Sequence, residues 1–336
     1  MVFSHQYKML KEEDKREKEE NFAIGLEDGG GNILYLSHAH SDHLRSPRKK
    51  KGIIASKESV DLANWKERYK NSSENIPEII SHKDIKLLNA GHILGSTQLM
   101  AETTEGTLVY TGDFKLRDGL TTKGAEVREC DTLIIESTYA SPEISFPDYR
   151  IVYSEIENWV RKNRESILLF GGYSLGKSQE IIKILNDYCG ITPLVHEKVE
   201  HFCRIYEKHG IKLNRIPLGT REAEEIMRDS FVAVMPQRTV NRRFAYRLSF
   251  AHNKEVLCAV ASGQILMRPM SIDKGFVLSD HADFDDILNY IEEADPKQIF
   301  CIHGDEERLS KELRKRGRKA MPYSYFDSSQ RRLRIL

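Results

Sequence analysis

The order of apolar and polar positions predicts a chain in which short buried strands alternate with amphipathic helices. Apolar runs bounded by glycine or polar turns predict strands at residues 32–37, 85–88, 97–102, 107–113 and 131–136. From residue 149 to residue 162, apolar side chains recur at helical spacing, which predicts a helix with one buried face. Further strand–helix pairs follow from residue 166 onward. This alternation is typical of an α/β protein with a largely parallel sheet.

Length and composition limit the classes of protein that fit. The 336 residues are enough for two domains, or for one large domain with an insertion. The 51 basic and 51 acidic residues cancel, so contact with nucleic acid would have to use a local basic patch. No apolar run approaches the ~18–20 residues of a membrane span, and the first residues show no signal-peptide hydrophobic region. The five cysteines are scattered without a Cys-x-x-Cys pair. We therefore expect a cytoplasmic protein with no membrane partner.

Four side chains that can bind metal lie within six residues, directly after the first predicted strand: His38, His40, Asp42 and His43. Residues two apart in an extended segment point to the same side, so His38 and His40 can hold one ion together. The following turn brings Asp42 and His43 toward a second ion. Imidazole nitrogen with some carboxylate oxygen suits zinc better than magnesium or calcium. The alternative is a solvated histidine-rich turn, which this density of ligands after a strand disfavours.

Two later segments offer ligands of the same kind near strand ends. His92 lies in a glycine-bracketed loop between two predicted strands, and Asp113 ends the strand at residues 107–113. A carboxylate at a strand end can bridge two cations, because each of its oxygens can bind one. Taken singly, both residues also have a structural explanation. Together with the first cluster they supply the four histidines and two aspartates that a two-metal hydrolytic site requires.

These motifs resemble the metallo-β-lactamase fold, and the later chain resembles its β-CASP branch, whose members cut DNA or RNA. The motifs that carry the resemblance are His38-x-His40-x-Asp42-His43, Gly91-His92, Gly112-Asp113, Glu136 at a strand end, His281 and His303. The resemblance spans residues 22–325 and is more specific to small archaeal and bacterial members. Some of these are grouped with RNA 3′-end processing factors, and others are DNA-ligase-associated exonucleases.

The resemblance implies an α/β fold of a particular kind: a metallo-β-lactamase four-layer αβ/βα sandwich with an inserted α/β β-CASP cap domain. The expected parts are a charged arm (1–21), a first metallo-β-lactamase segment (22–140), the β-CASP domain (141–270) and a second metallo-β-lactamase segment (271–336). In the family that it resembles, the insertion covers the metal site and forms the substrate groove.

The resemblance also implies two zinc ions per chain. One would be held by His38, His40, His92 and Asp113, and the other by Asp42, His43, Asp113 and His303. Zinc would lower the pKa of bound water, so that hydroxide is available near neutral pH to attack phosphorus. Asp42 is expected to serve catalysis as well as metal binding. His281 would protonate the leaving oxygen, with Glu136 orienting it. The alternative for His281 is a structural place before a helix.

Candidate contacts with substrate are Lys177, Ser174, Arg45 and Ser279. Residues 171–178 match the phosphate-binding loop G-x-x-x-x-G-K-[ST] between a strand and a helix, so an ATPase is a rival interpretation. Against it, no later predicted strand of the insertion ends in an aspartate suited to magnesium. The loop could instead offer its N–H groups and Lys177 to substrate phosphate, or only pack a helix.

The predicted function is a zinc-dependent nuclease that hydrolyses single-stranded nucleic acid, with RNA processing or decay slightly favoured over DNA. A DNA repair exonuclease of the ligase-associated type is the alternative. A small-molecule hydrolase such as a thioesterase or lactonase would leave Glu136 and His281 without a role. A non-catalytic binding subunit usually lacks ligands, and none is missing here. A homodimer is a further expectation.

Overall fold

The computed structural model describes residues 23–26, 31–47, 49–64, 77–268, 270–325 and 332–334. The charged arm predicted at residues 1–21 lies outside the described residues. Within the described ranges, no helix combines the length and the apolar character needed to cross a membrane.

The first of three sheets has four short strands in the order β16–β1–β2–β3. They are β1 (Ala23–Gly25), β2 (Ile33–Tyr35), β3 (Gly52–Ile54) and β16 (Arg332–Arg334). β1, β2 and β3 are parallel, and β16 is antiparallel to β1. Successive β2 side chains point to opposite faces and both faces are covered, so Ile33 and Leu34 join different cores. Helix α1 (Lys57–Ala63) packs on the Leu34 side.

The second sheet has six strands in the order β15–β14–β7–β6–β5–β4. They are β4 (Ile85–Asn89), β5 (Thr97–Thr103), β6 (Gly106–Tyr110), β7 (Thr132–Ser137), β14 (Gln298–Gly304) and β15 (Ala320–Pro322). β4, β5 and β6 are antiparallel neighbours, whereas β6, β7, β14 and β15 are parallel. One face packs on the first sheet, and helices α7 (Phe284–Ala294) and α8 (Glu306–Lys315) cover the other. The layers are therefore helix, sheet, sheet, helix.

The third sheet is entirely parallel, in the order β10–β9–β11–β8–β12–β13. Its strands are β8 (Ile167–Gly172), β9 (Leu194–Val195), β10 (Ile216–Pro217), β11 (Val232–Pro236), β12 (Val256–Ala261) and β13 (Lys274–Phe276). Helices α2 (Tyr149–Lys162), α3 (Lys177–Asp187) and α4 (Glu197–Lys208) pack on one face. Helices α5 (Arg221–Ile226) and α6 (Arg242–His252) pack on the other face. Two short 3-10 helices, Gly263–Leu266 and Tyr323–Tyr325, complete the described elements.

The predicted fold class, a four-layer sandwich with an inserted α/β unit, is confirmed. The predicted helix at residues 149–162 has the bounds of α2. The strand predicted at residues 107–113 ends earlier, at Tyr110. The chain leaves the sheet there because Gly112 has a φ of 55°, a conformation that glycine adopts readily, and a Cβ at this position would lie 2.9 Å from the Ser37 Cβ.

Candidate metal centre

Three metal-binding side chains occupy equivalent positions, each three residues after a strand. His38 follows β2, His92 follows β4 and Asp113 follows β6. β4, β6, β7 and β14 run in the same direction through the second sheet, so their carboxyl ends meet at one edge. Glu136 and His303 lie near the ends of β7 and β14. The sheet therefore brings dispersed positions to one place.

The loop that carries His92 requires a glycine. Gly91 has a φ of 73°, and a Cβ there would lie only 2.4 Å from the carbonyl oxygen of Lys115. The hydroxyl of Ser96 accepts hydrogen bonds from the backbone N–H groups of His92 and Ile93. The tight turn thus holds the His92 imidazole inside the structure, where it is buried.

The first ligand group contains His38, His40, His92 and Asp113, whose ligand atoms all lie within 4.8 Å of one another. Asp113 is at its centre: its Oδ2 lies 3.6 Å from Nε2 of His38 and 3.8 Å from Nε2 of His92. Burial lowers the pKa of His38, His40 and His92, so these imidazoles are neutral, as metal ligands must be. Burial raises the pKa of Asp113, but contact with His43 and nearby imidazoles hold it well below its usual value.

The hydrogen bonds of two imidazoles indicate that a cation fits between them. Nε2 of His40 donates to the carbonyl oxygen of Leu175 at 3.2 Å, and Nδ1 of His92 donates to that of Asp280 at 2.9 Å. A carbonyl can only accept, so Nδ1 of His40 and Nε2 of His92 carry lone pairs. These two nitrogens lie 3.0 Å apart. Facing lone pairs repel each other, and a cation bound by both removes the repulsion.

His38 gives a second, independent indication. Its Nδ1 contacts the hydroxyl of Ser37 at 3.1 Å, while its buried Nε2 has no hydrogen-bond partner among the described residues. An unsatisfied buried nitrogen costs free energy unless an ion or another group binds it. The donor set of imidazoles with one carboxylate is the type that zinc prefers, so the residues present fit this metal.

A second ligand group, His43, Asp113 and His303, shares the same aspartate. Nε2 of His43 lies 3.4 Å from Oδ2 of Asp113, and the His43 and His303 rings are 4.9 Å apart. His303 has a φ of 59° at a register shift in β14, a strained conformation for a residue other than glycine. The next residue, Gly304, could not carry a Cβ, because it would lie 2.3 Å from the Ser137 oxygen. The bulge aims the imidazole at the edge of the sheet.

Asp42 lies at the rim of the second group. Its Oδ2 is 3.9 Å from Nε2 of His43, and its side chain is 80% exposed. Its role as a zinc ligand remains a prediction.

His281 forms an ion pair with Glu136 beside the first group. Nδ1 of His281 donates to Oε2 of Glu136 at 2.8 Å, and the other carboxylate oxygen accepts from the backbone N–H of Phe114 at 2.6 Å. Burial lowers the pKa of His281, but the charge and hydrogen bond of Glu136 outweigh this and raise it to about 9. The imidazole is thus protonated near neutral pH and oriented by a buried carboxylate.

Residues 171–178, which match the phosphate-binding loop pattern, do not expose the side chains that a nucleotide would bind. Lys177 is buried, and its Nζ donates to Glu180 at 2.9 Å and to Asp280 at 2.7 Å. The hydroxyl of Ser178 donates to the carbonyl oxygen of Tyr173 at 2.8 Å. The same loop supplies the Leu175 carbonyl that orients His40. Its visible role is therefore to support the metal ligands.

The other predicted substrate contacts differ in their position. Ser279 lines the cavity, but its hydroxyl already bonds the backbone N–H of His281 at 3.0 Å. Arg45 is exposed and donates to the Asp42 carbonyl at 2.7 Å. Ser174 is half-buried, and its carbonyl accepts from Gln179 at 3.0 Å. Neither Arg45 nor Ser174 lines the cavity.

A cavity of about 370 Å³ opens over both ligand groups. The lining residues that were not singled out from the sequence include Tyr139, Tyr173 and Asp280. Asp280 matters most, because its carbonyl fixes the tautomer of His92 and its carboxylate pairs with Lys177. The sequence feature that could have identified Asp280 is its position directly before His281. Tyr139, whose ring lies 5.8 Å from that of His281, follows the end of β7.

Known proteins resemble this chain in sequence and in fold. The family model described as Zn-dependent metallo-hydrolase RNA specificity domain matches residues 270–322. A "Probable DNA ligase" of Opitutus terrae is 29% identical over 294 residues, covering 85% of this chain and 28% of that protein. A "Probable RNase MJ4" of Methanocaldococcus jannaschii is 34% identical over 200 residues, covering 46% of this chain and 45% of that protein. The chain spans less than half the length of these curated relatives.

A solved structure, that of a protein of unknown function from Enterococcus faecalis V583, also resembles this chain. It aligns with a TM-score of 0.54 at 15% identity, over 82% of this chain and 76% of that one. At that identity the likeness bears on the fold alone.

The layers, and the group of possible metal ligands at one sheet edge, are those of the metallo-β-lactamase fold, and residues 270–322 match a domain described for Zn-dependent metallo-hydrolases. Within that class of fold, the matched domain and the relatives support the resemblance to the β-CASP nuclease family that the sequence motifs predicted.

Proposed function

We propose that this chain is a zinc-dependent nuclease that hydrolyses phosphodiester bonds of single-stranded nucleic acid. The observation that carries the proposal is the His281–Glu136 pair, which lies beside the Asp113-centred ligand groups in one cavity. A protonated, oriented imidazole next to a metal site is suited to releasing an alkoxide leaving group. A thioesterase or lactonase would have no evident use for this pair.

The proposed ligands hold two zinc ions that share Asp113. His38, His40 and His92 complete the first site, and Asp42, His43 and His303 complete the second. Zinc bound there would supply Lewis acidity, which lowers the pKa of water and offsets the negative charge that builds on phosphate.

His281 acts as the general acid in this proposal. Its Nδ1–H is held by Glu136, so Nε2 provides the proton for the departing ribose or deoxyribose oxygen. Water oxygen bonds to phosphorus as the P–O bond to the leaving oxygen breaks and that oxygen takes the proton. The water loses one proton to solvent, and the imidazole is then reprotonated from solvent. Glu136 stabilises the imidazolium before each turnover.

The predicted division into segments 22–140, 141–270 and 271–336 remains part of the proposal, with the middle segment as a cap over the cavity. Arg45, Ser174 and Ser279 remain proposed substrate contacts. Because Lys177 is already neutralised by two carboxylates, we assign it an indirect part, through Asp280.

RNA is the substrate that we favour, because residues 270–322 match an RNA specificity domain and several relatives are named as RNases. Single-stranded DNA is the second candidate. The relative that covers 85% of this chain is named as a probable DNA ligase, and others as DNA cross-link repair proteins.

A cytoplasmic location and a homodimer complete the proposal. Fractionation of the source cells tests the cytoplasmic location, and light scattering on the purified chain tests the homodimer.

The central test is a cleavage assay on end-labelled single-stranded RNA and DNA of the same sequence. We expect zinc-loaded protein to shorten at least one strand, a chelator to stop the reaction and added zinc to restore it. Thioester and lactone substrates are assayed in parallel with the same zinc-loaded protein. Fully zinc-loaded protein that cleaves neither strand would refute the nuclease, and turnover of the small substrates alone would assign the other class.

A further inference from the structure

Helix α6 carries two large aromatic side chains on its outer surface. Tyr246 is 75% exposed and Phe250 is 85% exposed. Four residues apart on a helix, they lie on the same side, and Arg243 and Arg247 share that side. We call these four residues the α6 outer face. The opposite side packs into the core of the third sheet through Phe244, Ala245 and Leu248. The exposed aromatic rings are therefore not needed to hold the helix in place.

The charge around this face is strongly one-sided. Residues 237–254 contain five arginines and lysines and no aspartate or glutamate, although the whole chain has no net charge. Lys254 pairs with Asp229 at 2.7 Å. In contrast, Arg238, Arg242, Arg243 and Arg247 are exposed and form no ion pair with any residue that the structure describes. The face thus combines unpaired positive charge with flat apolar rings.

The segment that leads into α6 contacts a strand end beside the cavity. The backbone N–H of Gln237 donates to the carbonyl oxygen of Gly172 at 2.9 Å, and Tyr173 lines the cavity. The helix begins five residues after Gln237, capped by Asn241. Because α6 joins two parallel strands, β11 and β12, it runs back from that edge over about 16 Å. A strand leaving the cavity can follow it.

We propose that the α6 outer face binds the part of a single-stranded nucleic acid that extends beyond the catalytic cavity. Bases stack on Tyr246 and Phe250, and Arg243 and Arg247 contact phosphates. Stacking on aromatic rings with arginines along the backbone is how proteins hold unpaired strands without reading their sequence. Paired bases would not offer their faces, so the face selects single strands. This inference rests on the proposed nuclease function, and it adds that strands long enough to reach α6 bind more tightly than short ones.

The test uses two double variants, Tyr246→Ala/Phe250→Ala and Arg243→Ala/Arg247→Ala. The control, Tyr325→Ala/Arg161→Ala, removes an exposed ring and an exposed charge elsewhere. Binding of a ~25-nucleotide strand is measured by fluorescence anisotropy on zinc-loaded protein that also carries His281→Ala, which slows cleavage. Melting temperatures establish that each variant is folded.

We expect the aromatic variant to weaken binding roughly 25-fold or more, since each lost stack costs about fivefold or more in affinity. The arginine variant should reduce the slope of log K against log salt by about 1.4, because two phosphate contacts are lost. In the active background, the ratio of KM for ~25-nucleotide to KM for ~5-nucleotide substrates should rise by a similar factor, roughly 25-fold or more, for the aromatic variant. The control should match the parent protein throughout.

The outcomes separate the two proposals. Parent protein that binds the long strand but cleaves nothing would refute the nuclease alone, whereas variants that bind like the control would refute the α6 proposal alone. If instead the variants change the sedimentation of the protein without nucleic acid, the face is an interface between copies of this chain, and our proposal is wrong.

Discussion

At the scale of single residues, the His281–Glu136 pair distinguishes this site from a simple metal-binding cluster. The carboxylate is buried and accepts bonds from Phe114 N–H, Thr138 and His281. These bonds fix the carboxylate, and the carboxylate in turn fixes the imidazole. Glu136 and His281 also form, with Asp113, a third group of possible metal ligands, but their 2.8 Å hydrogen bond already joins Nδ1 to Oε2, and we therefore propose proton transfer as the role of the pair.

His281→Ala should lower turnover by about 10²–10⁴-fold, the usual contribution of a positioned general acid. Zinc content should stay at the parent level, because His281 is not one of the proposed ligands. Steady-state kinetics and elemental analysis on the same preparation measure both quantities. His201→Ala on the exposed side of α4 is the matched control. Unchanged turnover, or loss of zinc together with activity, would contradict the acid role.

At the scale of elements, the start of α3 joins the inserted sheet to the metal centre. Lys177, the first residue of α3, is buried between Glu180 and Asp280. Burial lowers the pKa of Lys177, but the two carboxylates outweigh it and raise this pKa, so the side chain stays charged. The backbone carbonyl of Asp280 accepts from His92, so α3 is linked through Asp280 to a proposed metal ligand.

Lys177→Met should destabilise the fold by about 3–5 kcal/mol, because it removes the charged partner of Asp280 and leaves Glu180 with Lys115 alone, at 3.9 Å. Lys183→Met, six residues later on the same helix, removes a partly exposed pair with Asp187 and should cost no more than about 1 kcal/mol. Denaturant unfolding of both variants gives the comparison. Equal destabilisation would show that the buried network does not couple the two units.

At the scale of the whole molecule, the proposed zinc ligands tie together distant parts of the chain. They come from the ends of β2, β6 and β14 and from the loop after β4. An ion that binds only the folded arrangement stabilises it, by about 2.7 kcal/mol when free zinc is a hundred times its Kd. Chelation should therefore lower the melting temperature as well as activity.

The number of zinc ions bound per chain should depend most on Asp113, because Asp113 is a proposed ligand of both ions. Elemental analysis should find about two ions per parent chain, about one in His303→Ala and close to none in Asp113→Ala. The increase in melting temperature on adding zinc should become smaller in the same order. His82 is an ion-paired histidine outside the ligand groups, so His82→Ala should behave like the parent chain. A parent chain that binds no zinc after reconstitution would remove the basis of the proposed function.

The sequence by itself determined the main strands and helices, and it predicted where candidate metal ligands lie. Candidates such as His38, His92 and Asp113 could be picked out because each follows a short apolar strand, and local patterns decide where strands end. The strand–helix alternation also determined that the inserted sheet is parallel. These are properties of nearby residues, and nearby residues are what a sequence displays.

The tertiary structure alone decided which groups touch. Nothing local indicates that Lys177 would be enclosed by Asp280, which lies 103 residues away, or that a backbone carbonyl would orient His40. The outer face of α6 was likewise hidden, because exposure depends on which side of a helix the sheet covers. Long-range packing brings together partners that share no pattern along the chain, so their contacts are set by the fold as a whole.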